Sequence, residues 1–323
     1  MIDSPKQFSS PSTNESNRQR WMIVALAAIV FAVFARLCAS EFVYWDDISN
    51  ISENPMMRRS WFEIVTHYLK NDEGGLYIPV TYAVWGALAR LGYTTVPNPQ
   101  GDLFNPWFFH TFNVALHLIT TLFVYRLLRK LFGSGPAPIL GAAVFALHPV
   151  QVETVGWACG SKDLLCWFFV IVGMNVYLDL IERNRSKKLF GFWLSWRFWT
   201  VFSLMILAIL SKPTAMVMSA LLIVLDYFLC RTKLTTSILR GLPFFAITIV
   251  SVIVTKKVQV AVGVYEPGAI GKLLVAGDAL AHYAFKVVWP FDLTFDYGRM
   301  PDRVLIEYKS ITNWIWLIPA MIG

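Results

Sequence analysis

Two adjacent carboxylates, Asp46 and Asp47, follow an apolar segment, Trp21 to Ala39, whose single charge is Arg36. About 20 such residues, rising about 1.5 Å each, cross a hydrocarbon core of about 30 Å. The pair therefore stands at or just beyond a membrane face. Later in the chain Glu53, Glu153, Lys162, Asp163 and Lys212, and further on Lys286, Asp296 and Arg299, fall between apolar runs on the same side. A carboxylate within about 3 Å of a hydroxyl serves as a general base, and a fixed cation near the headgroups holds a phosphate. This set suits a lipid-borne phosphosugar as donor and a hydroxyl as acceptor. The plainer alternative is a solvated acidic loop and lysines that snorkel at helix ends.

The chain that must position these groups is 56% hydrophobic, 15% aromatic and 15% charged, with a mean hydropathy of +0.53. That composition describes an all-α polytopic membrane protein. The net charge of +7 is scattered in short clusters between apolar runs, which fits membrane topology and gives no nucleic-acid surface. Cys38, Cys159, Cys166 and Cys230 lack C-x-x-C spacing; Cys159 with Cys166 is the one pairing worth checking. There is no Walker loop, G-x-G-x-x-G, H-E-x-x-H or G-x-S-x-G, so nucleotide-driven transport, dinucleotide chemistry, zinc proteolysis and serine hydrolysis lack support.

The Ser-, Asn- and Pro-bearing segment 1–20 is expected to be a disordered cytoplasmic tail, and 21–323 the membrane domain. Spans are expected over Trp21–Ala39, Pro106–Leu128, Ile139–Leu147, Leu164–Ile181, Phe198–Leu210, Ala215–Cys230 and Leu242–Val254. The basic clusters Arg126–Lys130, Arg183–Lys188 and Arg231–Arg240 then share one side, the cytoplasmic one. Trp61–Leu69 and Ile78–Leu91 read as helices lying on the interface, within and after a large first outer loop. His110, Asn113, His117 and Thr120 form a polar stripe that either bonds neighbouring helices or lines a cavity. Gly271–Phe291 is ambiguous, because Asp278, His282 and Lys286 share a face and mid-bilayer charges cost about 2.5 to 3.5 kcal/mol each. The apolar run from Trp314 is too short to span before Gly323, as if the chain were the front part of a longer protein.

Five groups of residues carry a family resemblance: Phe42-Val43-Tyr44-Trp45-Asp46-Asp47 with Glu53-Asn54-Pro55; Tyr77-Ile78-Pro79-Val80-Thr81; Phe109-His110-Thr111-Phe112-Asn113 with His117; Leu147-His148-Pro149 through Val155, Trp157 and Lys162-Asp163; and Ser211-Lys212-Pro213. Leu225-Asp226-Tyr227 and Tyr283 through Lys286 to Tyr297 extend it. Together they resemble the membrane part of the transmembrane and tetratricopeptide-repeat O-mannosyltransferases and their bacterial relatives, within the GT-C glycosyltransferases.

The resemblance implies a GT-C helix bundle that moves a sugar from a polyprenyl-phosphate donor to a protein or glycan acceptor outside the cytoplasm. It assigns the base to Asp46 or Asp47. Lys162, Asp163, Glu153, Lys212, Lys286, His110 and His148 are the candidates for binding substrate or phosphate. Bacterial relatives usually read Glu-Arg-Lys-Asp where this chain has Gly160-Ser161-Lys162-Asp163, so one cation is missing, and Ile78 replaces a polar residue. No organic cofactor is implied and no metal site is assigned, although Asp46, Asp47 and Glu153 could supply oxygen ligands to a divalent ion. Asn50-Ile51-Ser52 is an N-glycosylation sequon that matters only in a eukaryotic host. The later motifs suggest a bacterial inner membrane with the site on its periplasmic face. Two rivals remain: a transporter of lipid-linked glycans with Asp278 and His282 as a relay, and a non-catalytic scaffold.

Overall fold

The apolar runs form helices because hydrocarbon offers the backbone no other hydrogen-bond partner. The structure, a computed structural model, describes residues 13–184, 189–258, 267–294 and 296–306. Residues 1–12, the basic residues Arg185, Lys187 and Lys188, and the run from Trp314 lie outside the described residues. The α-helices are α1 (Thr13–Phe34), α2 (Trp61–Tyr68), α3 (Pro79–Gly92), α4 (Pro106–Phe132), α5 (Ala137–Leu147), α6 (Gln151–Gly156), α7 (Ser161–Arg183), α8 (Leu189–Trp193), α9 (Trp196–Ser211), α10 (Met218–Val224), α11 (Leu234–Val258), α12 (Ala269–Val288) and α13 (Pro301–Ile306). Among the described residues the extended pairings are isolated bridges, Glu73 with Leu76 and Tyr93 with Phe104. The chain is an all-α polytopic membrane protein. Four stretches, Asn17–Ala39, Pro106–Phe132, Ala158–Arg183 and Leu234–Val258, are long and apolar enough to cross a bilayer.

Helix α4 is the central post. Asn105 caps its start by accepting from the Trp107 N–H at 3.0 Å, with Pro106 in the first turn, where proline's missing N–H costs nothing. It ends at Gly133, whose φ of +77° suits the left-handed termination that glycine allows. Around it pack α5, α7, α3 and the first span, and α9 packs along α7. On α1, Val24, Ile29 and Phe31 stay exposed, as a face turned to lipid requires.

Several expectations are corrected. Helix α1 begins at Thr13, inside the segment expected to be a disordered tail. Helix α3 is not a peripheral element: Thr81, Tyr82, Trp85, Leu88 and Ala89 are buried, and α2, α4 and α9 pack against it. The expected span Ala215–Cys230 is one continuous but short apolar helix, Pro213–Phe228, which opens as a 3-10 turn at Pro213–Val217, continues as α10 and closes in a wide π turn at Leu225–Leu229. Asp226 in that turn is fully buried and pairs with Arg240 at 3.2 Å, which neutralises both charges inside the bundle. Helix α11 starts eight residues before Leu242 and carries Pro243 within it. Cys38, Cys159, Cys166 and Cys230 are free thiols.

Candidate active site

The adjacent carboxylates occupy two different environments. The Asp47 side chain is fully buried and accepts three backbone N–H bonds, from Val43 at 3.0 Å, Ala158 at 3.1 Å and Cys159 at 2.8 Å. It therefore ties the outer loop to the short turn Ala158–Gly160 ahead of α7. With three backbone N–H bonds on its carboxylate, Asp47 anchors the loop, and Asp46 is the more open of the two candidates for the base. Asp46, one residue earlier, keeps 39% of its side chain exposed and meets Lys162 Nζ at 3.0 Å.

Lys162 stands in the first turn of α7, and Asp163 beside it meets Lys212 at 2.5 Å. Lys212 follows the last turn of α9 in extended conformation, as the residue before Pro213 must be. Asp46, Glu153, Lys162, Asp163 and Lys212, with Trp157, line one cavity of about 200 Å³. Glu153 and Trp157 also line a neighbouring, largely apolar groove of about 620 Å³ that contains Lys286, Tyr283 and Tyr297. The result is a charged chamber beside an apolar cleft, with Glu153 and Trp157 in the lining of both. Burial, and then the Asp163 carboxylate, hold Glu153 above the ordinary carboxylate range against the pull of Lys212.

A raised folded-state value means that Glu153 contributes stability below its unfolded value, about 4.3. That contribution is lost as pH climbs through the raised value. Glu153→Gln should therefore gain on the wild type as pH rises from about 4 to about 7. Thermal melts in detergent across that window check it; curves that stay parallel contradict it.

Three expected site residues lie elsewhere. His110 is fully buried and meets the Glu41 carbonyl at 3.2 Å, holding the entry to the outer loop. His148 accepts from the Val150 N–H through Nδ1 at 3.2 Å, so its Nε2 donates to the Val287 carbonyl at 2.9 Å; it fastens the corner after α5 to the end of α12. Lys286 donates to the carbonyls of Phe291 and Asp292 at 2.5 and 3.0 Å and lies over the Tyr297 ring, in the groove and apart from the other lysines. The polar stripe on α4 bonds neighbouring backbone: Asn113 donates to the Trp157 carbonyl at 2.6 Å and His117 meets that of Ala146 at 3.0 Å. Asp278, a relay candidate for transport, is held by both terminal and inner nitrogens of Arg299 at 2.5 to 3.1 Å.

The Gly160-Ser161 departure also acquires a physical meaning. A Cβ at Gly160 would run into the Thr154 carbonyl oxygen, so only glycine permits this tight turn. Ser161 points inward, away from the cavity, and accepts from Trp85 Nε1 at 2.5 Å. Among the described residues no group of three or more His, Cys, Asp or Glu side chains is placed to hold a metal ion.

This geometry can be set beside known proteins. Mouse protein O-mannosyl-transferase TMTC2 is 26% identical over 173 residues, covering 52% of this chain and 20% of that protein. Mouse TMTC1 is 28% identical over 210 residues, covering 63% and 22%. Mouse TMTC4 is 22% identical over 335 aligned residues, covering 93% of this chain and 42% of that protein. The chain is a relative of the TMTC protein O-mannosyl-transferases. It spans less than half the length of each of these three relatives. No family model and no solved structure matches it. The TMTC4 similarity runs through nearly the whole chain, so it includes the acidic loop, the α6–α7 corner and the Lys212 turn.

Proposed function

We propose that the chain is the membrane domain of a GT-C type glycosyltransferase that moves a hexose from a polyprenyl-phosphate donor to a hydroxyl of a protein or glycan acceptor. The observation that carries this is the alternation of charge round one cavity: Asp46 on Lys162 and Asp163 on Lys212, beside an apolar groove. A hydroxyl is a poor nucleophile and the sugar's transition state is cationic. Asp46 takes the hydroxyl proton as the oxygen bonds to the anomeric carbon, and its negative field favours the developing oxocarbenium charge. The bond from that carbon to the phosphate oxygen breaks, and its electron pair leaves on the polyprenyl phosphate. Lys162 and Lys212 offset the growing charge there, and the groove past Glu153 and Trp157 takes the apolar part of the lipid. The reading rests also on the similarity to protein O-mannosyl-transferases of the TMTC group.

The cavity end is read as the outer face, periplasmic in a bacterial inner membrane on the style of the later motifs. Arg126, Lys130 and Asp179 pair at the opposite ends of α4 and α7, where cytoplasmic basic residues collect. Lys162→Ala and Lys212→Ala should each raise the Michaelis constant for the lipid donor, and Lys286→Ala should do so through the groove. Transfer assays in membranes with a radiolabelled polyprenyl-phosphate hexose at graded concentrations measure this. An unchanged donor dependence in all three variants would remove the phosphate assignment.

A further inference from the structure

Apart from Glu153 on α6, the charged groups round the cavity come from three turns, those of Asp46, of Lys162 with Asp163, and of Lys212, and one face of α3 touches all three. Thr81 Oγ1 donates to the Ser211 carbonyl at 2.9 Å, next to Lys212. Tyr82 Oη donates to Asn50 Oδ1 at 3.0 Å, and Asn50 Nδ2 donates to the Asp46 carbonyl at 2.8 Å. Trp85 Nε1 donates to Ser161 Oγ, next to Lys162. Thr81, Tyr82 and Trp85 are each no more than 1% exposed, and these bonds satisfy a threonine hydroxyl and an indole N–H that are otherwise cut off from solvent.

We infer that α3 is the positioning element of the site, with Thr81 holding the Lys212 turn, Tyr82 holding Asp46 through Asn50, and Trp85 holding the Lys162 turn. Residues one and three apart on a helix sit within about 100° of one another or one turn above, so this single rigid rod sets the spacing of a base and two cations. Tyr82 is itself fixed: its ring stacks on Tyr68 with centroids 3.6 Å apart, and Asn54 Nδ2 donates to the Tyr68 hydroxyl at 2.9 Å and to the Asn50 carbonyl at 3.1 Å. The sequon Asn50-Ile51-Ser52 is thereby given a different role. Both ends of the Asn50 amide are engaged, and the buried Ser52 hydroxyl bonds Asp102, so in the folded chain these side chains serve the loop.

The inference rests on the transferase reading, and its test has an arm that does not. Tyr82→Phe and Thr81→Val each delete one hydroxyl and keep the packing. Tyr82→Phe should lower kcat about 10- to 100-fold with little change in donor KM, because it loosens the base. Thr81→Val should raise donor KM about 2- to 10-fold with less effect on kcat, because it loosens Lys212. Hydrogen–deuterium exchange on the full-length protein should quicken at 43–52 in the first variant and at 211–214 in the second. If the wild type transfers no sugar, the transferase reading falls and exchange alone decides the role of α3. Exchange unchanged in both variants, or raised uniformly along the chain, overturns the inference. So does the same kcat and KM change in both.

Discussion

Asp46→Asn should lower turnover by about 10² to 10⁴, while donor binding and melting temperature stay close to those of the wild type. The amide keeps the size of the carboxylate and can still accept from Lys162, but it cannot take a proton. Because 39% of the side chain is exposed, its pairing with Lys162 contributes little to folding. Single-turnover measurements with donor bound separate chemistry from binding. Near-normal turnover in Asp46→Asn would withdraw the base from this residue.

Asp47→Ala should behave in the opposite manner, losing stability first and activity as a consequence. Its carboxylate joins the Val43 N–H to those of Ala158 and Cys159. Each buried N–H left without an acceptor costs about 1 to 3 kcal/mol, so a loss of at least about 2 kcal/mol is expected. Thermal unfolding in detergent and limited proteolysis of the 43–58 loop measure it. If Asp47→Ala melts like the wild type, the anchoring role is wrong; if it alone abolishes turnover in a fully folded protein, the two aspartates exchange roles.

Much of the fold is legible because hydropathy acts locally: the first span and those at α4, α7 and α11 follow from long, predominantly apolar runs. Helix α3 is legible as a helix but not as a buried one. Fourteen residues with Arg90 near one end look interfacial, and only distant partners such as Ser161, Ser211 and Asn50 show why its polar atoms are satisfied inside. His110 and His148 have the chemistry of ligands, yet each bonds a backbone carbonyl far along the chain, and no spacing reveals that. The acidic pair stands out in the sequence, but which member is exposed depends on a turn more than 100 residues later. The helical start at Thr13 was hidden because its polar residues carry no apolar period.

The central claim, sugar transfer at the Asp46 end of the membrane domain, is tested most directly in sealed vesicles of known orientation. The full-length protein is reconstituted with a radiolabelled polyprenyl-phosphate hexose, and a hydroxyl-bearing acceptor that cannot cross the bilayer is placed on one side at a time. Label should pass to the acceptor only when it faces the side bearing Asp46, with Arg129 on the other, and Asp46→Asn should abolish it. Transfer to an acceptor on the Arg129 side, or intact labelled lipid crossing the bilayer with no acceptor labelled on either side, would contradict the account.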